Sequence, residues 1–314
     1  MALDFERPLL ELEAKIEELK RFTNEKGIDF SDEIILLEKK SRDMKEKIYR
    51  NLDPWQKVQI ARHAARPNTK DYITALFHDF LEFHGDRLYG DDPAVMGGIA
   101  RYKSIPVTVI GHLKGHDTKE NVYRNFGMAH PEGFRKALRL MKQAEKFNRP
   151  VICFIDTAGA YCGMGAEERG QGEAIAKNLM VMSALRIPIV SVVIGEGGSG
   201  GALALGVANK ILMQEHAIFS VSSPEAAASI LWKDGTKAKE AAEVLNLTAQ
   251  DLLRFGVIDE ILPEPLGGAH SDLAATYQIV DKSLAHNLTE LMKIPVEELV
   301  EARYRKFRSI GQTG

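Results

Sequence analysis

Ile189-Val-Ser-Val-Val-Ile-Gly-Glu-Gly-Gly-Ser-Gly-Gly-Ala-Leu-Ala-Leu-Gly206 opens as an apolar, β-branched run and closes in glycine and small residues. The first part reads as a buried parallel strand. Gly195, Gly197, Gly198, Gly200 and Gly201 then form a turn that leads into a small-residue helix over 202–208. Glycines at this density are costly in backbone entropy, so the chain there needs unusual dihedrals or very close backbone approach. A strand ending in such a turn at a helix start points unpaired N–H groups at one spot, which suits an oxyanion or a phosphate. Three readings fit. One is tight strand–helix packing with no chemistry. Another is a nucleophile elbow, since Gly197-Gly-Ser199-Gly-Gly201 matches G-x-S-x-G in a strand–turn–helix context. The third is an oxyanion hole without a nucleophile, with the amides of Gly201 and Ala202 as donors.

Upstream, Pro150-Val-Ile-Cys-Phe-Ile-Asp156 repeats the pattern: an apolar strand runs into Thr157-Ala-Gly-Ala-Tyr-Cys-Gly-Met-Gly165 and then an acidic helix opening. A helix over 171–185 returns the chain to Ile189, giving a βαβ rhythm with right-handed crossovers expected. Gly97-Gly-Ile-Ala-Arg101 and Ile105-Pro-Val-Thr-Val-Ile-Gly111 read as earlier strands, and Lys114 to Asn121 as a charged loop. Pro131 fits the first position of a helix running to Phe147. Its outer face reads as basic (Arg135, Lys136, Arg139, Lys142, Lys146), either a solvated surface or a place for a phosphorylated ligand. A helix over 71–83 precedes the polar loop His84-Gly-Asp-Arg87, where His84, Asp86 and Arg87 would form a salt-bridged cap or bind a ligand.

Leu9, Leu12, Ile16, Leu19 and Phe22 recur at helical spacing, as do Ile34, Leu37, Met44 and Ile48, with a break at Lys26-Gly27. These segments predict an antiparallel helical hairpin for packing or subunit contact. Cap signals flank a short helix carrying Trp55, Val58 and Ile60. Beyond residue 208, short strands over 210–213 and 217–222, a Ser223-capped helix to Trp232, a Thr248-capped helix to Phe255 and a strand over 257–262 are expected. After a loop over 263–270 the rest is helical by pattern.

The formal charge of −3 carries no basic field for nucleic acid or an anionic membrane. Cys153 and Cys162 make neither a disulfide framework nor a zinc set. With no signal pattern and no apolar run of roughly 20 residues, a soluble cytoplasmic protein is expected.

Together, Tyr123-Arg-Asn-Phe-Gly-Met-Ala-His-Pro-Glu-Gly133, Ala166-Glu-Glu-Arg-Gly-Gln171, Gly195-Glu-Gly-Gly-Ser-Gly-Gly-Ala202, Ser223-Pro-Glu225, Ile230-Leu-Trp-Lys233 and Glu264-Pro-Leu-Gly-Gly-Ala-His270 resemble the α subunits of bacterial acetyl-CoA carboxylase carboxyltransferase. The resemblance spans nearly the whole chain. It implies an α/β fold, a ClpP/crotonase-like spiral of ββα units, with an N-terminal helical hairpin and a C-terminal helical extension. On this reading residues 1–75 form a helical region for subunit contact, 76–265 the carboxyltransferase domain, and 266–314 the extension. The implied reaction moves a carboxyl group from carboxybiotin, borne by the biotin carboxyl carrier protein, to acetyl-CoA. Its product is malonyl-CoA, for fatty-acid synthesis. A zinc-ribbon β subunit completes an α2β2 heterotetramer, biotin carboxylase belongs to the same system, and ATP binding belongs to the complex. No metal is implied on this chain.

Both the biotin ureido group and the acetyl thioester carry negative oxygen during such a transfer, and preorganised amides in a dry crevice stabilise both. By resemblance Gly200, Gly201 and Ala202 form the biotin oxyanion hole, and the enolate hole lies on the β subunit. Gly159, Ala160, Tyr161, Gly163, Gly197 and Gly198 are expected to line the crevice. Arg135 and Lys136 are expected near coenzyme A phosphates. A Cβ at Gly201 is expected to block approach while leaving the fold intact. The sequence departs from the family pattern at Ala158 and Cys162, usually prolines, and at Ala226, usually glycine. The rival reading is an α/β serine hydrolase using Ser199, followed in chain order by Asp259 and His270, which lie only eleven residues apart.

Overall fold

The computed structural model describes residues 3–26 and 29–311. The two amphipathic segments form α1 (Arg7–Lys26) and α2 (Ser31–Arg50). They run antiparallel: Phe5 meets the Tyr49 ring edge-on at 6.3 Å, and Lys20 pairs with Glu38 at 3.0 Å. Gly27, the expected break, lies outside the described residues. Reciprocal capping boxes start the next two helices, Asp53 with Gln56 on α3 (Pro54–Ala61) and Asn68 with Asp71 on α4 (Thr69–Leu76).

The helix expected over 71–83 is not continuous. It stops at Leu76, Phe77 turns extended, and β1 (His78–Glu82) pairs antiparallel with β2 (Val95–Tyr102). Sheet pairing overrides the helical spacing of Ile73, Phe77 and Phe80. Antiparallel β3 (Ile105–His112) follows. The segment expected as a charged loop carries α5 (Thr118–Tyr123), capped by Asp117. The chain continues through α6 (Pro131–Lys146), with its proline at the first position, β4 (Val151–Thr157), α7 (Met164–Glu168), α8 (Gln171–Ala184) and β5 (Ile189–Gly198).

Here β5 runs on to Gly198, because its last residues pair with a later strand, and the helix follows at once as α9 (Ser199–Leu203) instead of over 202–208. Next come β6 (Lys210–Gln214), β7 (Ile218–Ser220), α10 (Pro224–Trp232), α11 (Ala238–Val244), α12 (Ala249–Arg254) and β8 (Glu260–Leu262). Two helices end the chain, α13 (Leu273–Leu291) and α14 (Val296–Ser309).

The strands lie in the order β1-β2-β3-β4-β5-β6-β8, with β7 also paired to β5, and every pair from β3 onward is parallel. Alternate residues of the central strands feed two cores. Val151, Cys153 and Ile155 join Phe134, Leu140 and Met182 of α6 and α8 on one face. Ile152 and Phe154 join Tyr72, Val280 and Leu284 of α4 and α13 on the other. Covered on both faces, β4 and β5 read as continuous apolar runs, and their glycine turns emerge side by side at the same end of the sheet.

Candidate functional site

The two glycine turns touch through main chain. A Cβ built on Gly198 would lie 2.0 Å from the Ala158 carbonyl oxygen, and one on Gly201 would lie 2.5 Å from the Gly159 carbonyl carbon and 2.8 Å from the Ala160 nitrogen. Only glycine permits this approach. Ser199, at φ +50°, turns the chain from β5 into α9. Among the described residues no hydrogen bond accepts from the main-chain N–H of Gly200 or Gly201, as the first turn of a helix leaves its donors without partners. Gly201 and Ala202 are buried. Gly200 is half-buried and lines, with exposed Ser199, a groove of about 360 Å³ walled by Leu203, Phe219, Val221 and Leu252.

On the other turn, the Thr157 hydroxyl donates to the Gly159 carbonyl at 2.7 Å. Tyr161 donates its N–H to the Ala129 carbonyl, and its ring stacks on His130 at 4.0 Å. The Gln171 side-chain amide donates to the carbonyls of Ala129 and Tyr161, both at 2.8 Å, and so ties this turn to α8. Gly163 packs against the Tyr161 ring and Gly197 against Phe219. The structure therefore brings Gly159, Ala160, Tyr161, Gly163, Gly197, Gly198, Gly200, Gly201 and Ala202 into one neighbourhood.

It does not bring the basic helix face there. Arg135 and Lys136 were expected on an outer face, but Lys136 is buried, its Nζ 2.5 Å from Asp91 Oδ1 and 2.9 Å from the Asp92 carbonyl. Arg135 donates to Asp86 at 3.0 Å and to the Arg169 carbonyl at 2.8 Å. A buried lysine requires a paired anion, and the 84–92 loop supplies it. Asp86 in turn accepts from the N–H groups of Leu88, Tyr89 and Gly90, so His84-Gly-Asp-Arg87 is a salt-bridged cap. Arg135 and Lys136 fasten that loop and are not free for a phosphate.

Nor is a hydrolase triad assembled. Asp259 accepts from the Ile211 N–H at 2.7 Å and pairs with Lys306, while His270 stacks on His63 at 3.8 Å. No hydrogen bond among the described residues joins either to Ser199.

The sequence reading missed a charged network behind the turns. Lys114 Nζ lies 2.7 Å from Glu196 Oε2 and 2.8 Å from Asp156 Oδ1. Arg62 bridges Glu196 at 2.6 Å and Glu225 at 2.6 Å. Burial opposes the charge on Glu196, yet Lys114 and Arg62 hold its pKa down to about 2. Burial likewise opposes the charge on Lys114, and Asp156 and Glu196 keep its pKa raised. A lone carboxylate inside an apolar, glycine-rich strand was the available signal, since such a charge needs a partner. Deeper in, Arg66 pairs with Glu264 at 2.5 Å. Among the described residues no group of three His, Cys, Asp or Glu is placed to hold a metal ion, and no helix is long and apolar enough to cross a membrane.

Residues 2–311 match the family described as acetyl co-enzyme A carboxylase carboxyltransferase-like. The chain is 60% identical over 311 residues to the acetyl-coenzyme A carboxylase carboxyl transferase subunit alpha of Heliobacterium modesticaldum, covering 99% of this chain and 93% of that one. It is 61% identical over 310 residues to the subunit of the same name from Halalkalibacterium halodurans, covering 99% and 95%. Among solved structures, transcarboxylase 12S superposes with a TM-score of 0.59 at 17% identity over 75% of this chain and 44% of that one. A Pseudomonas malonate decarboxylase hetero-tetramer chain does so with 0.58 at 17% identity over 70% and 89%. These likenesses place the fold in the ClpP/crotonase-like class. With the family match and 60% identity over its whole length, the chain belongs to the acetyl-CoA carboxylase carboxyltransferase α-subunit family.

Proposed function

We propose that this chain supplies one wall of an acetyl-CoA carboxyltransferase site, at which a carboxyl group passes from carboxybiotin on a carrier protein to acetyl-CoA to give malonyl-CoA. One observation carries the placement: two glycine turns meet main chain to main chain at the end of the sheet, with N–H groups that no acceptor among the described residues takes up beside an open groove. Carboxybiotin supplies an activated carboxyl group. The residues fit it, because the ureido oxygen needs fixed donors and the apolar groove walls suit the thiolane ring fused to the ureido ring.

The N–H groups of Gly200, Gly201 and Ala202 hold negative charge at that oxygen. Gly159, Ala160, Tyr161, Gly163, Gly197 and Gly198 set the shape of the crevice, and the close contact of the turns excludes water from behind it. No side-chain nucleophile takes part, which agrees with an exposed Ser199 whose hydroxyl is hydrogen-bonded to no base among the described residues. The acceptor side of the reaction lies on a β subunit carrying a zinc ribbon. We assign residues 1–75 to subunit contact, 76–265 to the carboxyltransferase domain and 266–314 to a helical extension, in a cytoplasmic α2β2 assembly served by biotin carboxylase and the carrier protein.

Reconstitution tests this reading. The purified chain alone forms no malonyl-CoA and does not decarboxylate it, and mixing with the β subunit restores both. Activity of the isolated chain, or fluorophosphonate labelling of Ser199, overturns it.

A further inference from the structure

The register between β4 and β5 breaks just before the glycine turns. Ile155 pairs with Val193, but Thr157 pairs with Gly197, so β5 spends two more residues than β4 over the same span. Such a bulge decides how far the following turn projects beyond the sheet and in which direction it faces. The excess falls on residues 194–196. Asp156 fills the space beside it: a Cβ on Gly195 would lie 2.5 Å from Asp156 Oδ1, and the same oxygen accepts the Glu196 N–H at 2.9 Å.

Lys114, two residues past the end of β3, holds both carboxylates together, one from each strand. Its stem is held in turn. Asn125, Phe126 and Gly127 take left-handed φ values of 47°, 54° and 74°. A Cβ on Gly127 would lie 2.7 Å from the Asp156 carbonyl oxygen and 3.0 Å from Lys114 Cγ. Only 17% of the lysine side chain is exposed, toward a cavity of about 380 Å³ that Arg62, Ala158 and Glu196 also line.

We propose that Lys114 is a positioning residue for the carboxyl-transfer site: by clamping Asp156 to Glu196 it fixes the β5 bulge, and with it the aim of the Gly200 and Gly201 amides. This inference rests on the function proposed above. It assigns no contact between Lys114 and substrate, because its ammonium is engaged by two carboxylates.

The test uses the chain assembled with its β subunit. Lys114→Met lowers kcat by about 100-fold, the scale expected when reacting groups are displaced by about 1 Å, and leaves KM for both substrates within about 2-fold. Lys114→Arg, which keeps the cation, recovers most of the loss. Lys114→Met also removes the cation paired with the buried Asp156 carboxylate, while Glu196 keeps Arg62, so the double variant Lys114→Met/Asp156→Asn separates stability from aim: it regains thermal stability and stays slow. Hydrogen exchange supplies a readout independent of activity, with amides of 195–203 and 157–161 opening about 10-fold faster in Lys114→Met while the rest of the sheet is unchanged. If Lys114→Met keeps its kcat, raises KM alone, or recovers full rate with its stability in the double variant, the proposal is overturned. Wild-type protein that is inactive with its partner rejects the carboxyl-transfer reading, and unchanged exchange at the turns rejects the clamp.

Discussion

Placing the same methyl group one residue apart should produce opposite results. On Gly201 a Cβ meets Gly159 C at 2.5 Å, Gly159 O at 2.7 Å and Ala160 N at 2.8 Å, all main-chain atoms. No rotamer change relieves that overlap, so Gly201→Ala has to push the two turns apart. Overpacking of this kind costs about 1–3 kcal/mol, and displacement of an oxyanion donor costs about 100- to 1000-fold in kcat. The expectation that a larger residue here leaves the fold intact is therefore corrected: Gly201→Val lowers stability as well as rate. On Gly200 the Cβ meets only the Ile175 side chain, at 3.4 and 3.7 Å. Gly200→Ala sits in a helical conformation and reduces the freedom of the unfolded chain, so its stability stays within about 1 kcal/mol of wild type. Thermal unfolding of each variant, together with malonyl-CoA formation in the presence of the β subunit, reads both effects. Equal losses at the two positions, or a fully active Gly201→Ala, would refute the main-chain contact as the source of the site.

Ser199→Ala retains carboxyl transfer within about 3-fold, because no base among the described residues is hydrogen-bonded to the hydroxyl; a loss of 100-fold or more would restore the nucleophile reading. Breaking the buried pair by Glu264→Gln leaves Arg66 with an uncompensated charge and costs about 3–5 kcal/mol in denaturant unfolding, and a change below 1 kcal/mol contradicts it. Burial, then the charge of Lys114, lowers the pKa of His112 to about 3, well below its unfolded value near 6.5. The unfolded chain therefore binds a proton that the fold excludes. The stability from this group is complete above about pH 6.5 and falls as pH drops toward 3, by up to about 1.4 kcal/mol per pH unit. His112→Phe makes that limb of the stability curve shallower, and an unchanged slope rejects the assignment. A thiol reagent at neutral pH labels exposed Cys162 and spares Cys153, whose thiol burial pushes up to about 12; two labels on the native chain would be wrong.

What was legible in advance follows from how local each signal is. Apolar runs bounded by glycine announced β4 and β5, because a strand covered on both faces leaves few polar residues in its pattern. The caps at Asp53, Ser223 and Thr248 also lay in adjacent residues. The break at Phe77 was hidden, since only the pairing of His78 with Arg101, across the chain, makes a strand of helically spaced residues. The basic stripe of α6 misled for a similar reason: helical spacing places Lys136 on a face, but the acids of a loop some 45 residues earlier decide whether that face is wet. At the site, the glycines stood out by themselves. Lys114, Asp156 and Glu196 come from three separate strand ends, and no short motif unites them.

The turns meet without any side chain between them, and this bears on chemical intervention. A compound that drew its affinity from those amides would be gripping atoms that every amino acid shares. Substitution cannot delete an N–H except through proline, and bulk at Gly198 or Gly201 collides with the opposite turn. Escape from such an inhibitor is thus confined to the groove's apolar rim at Leu203, Val221 and Leu252, which is where a designed molecule should make as little contact as possible.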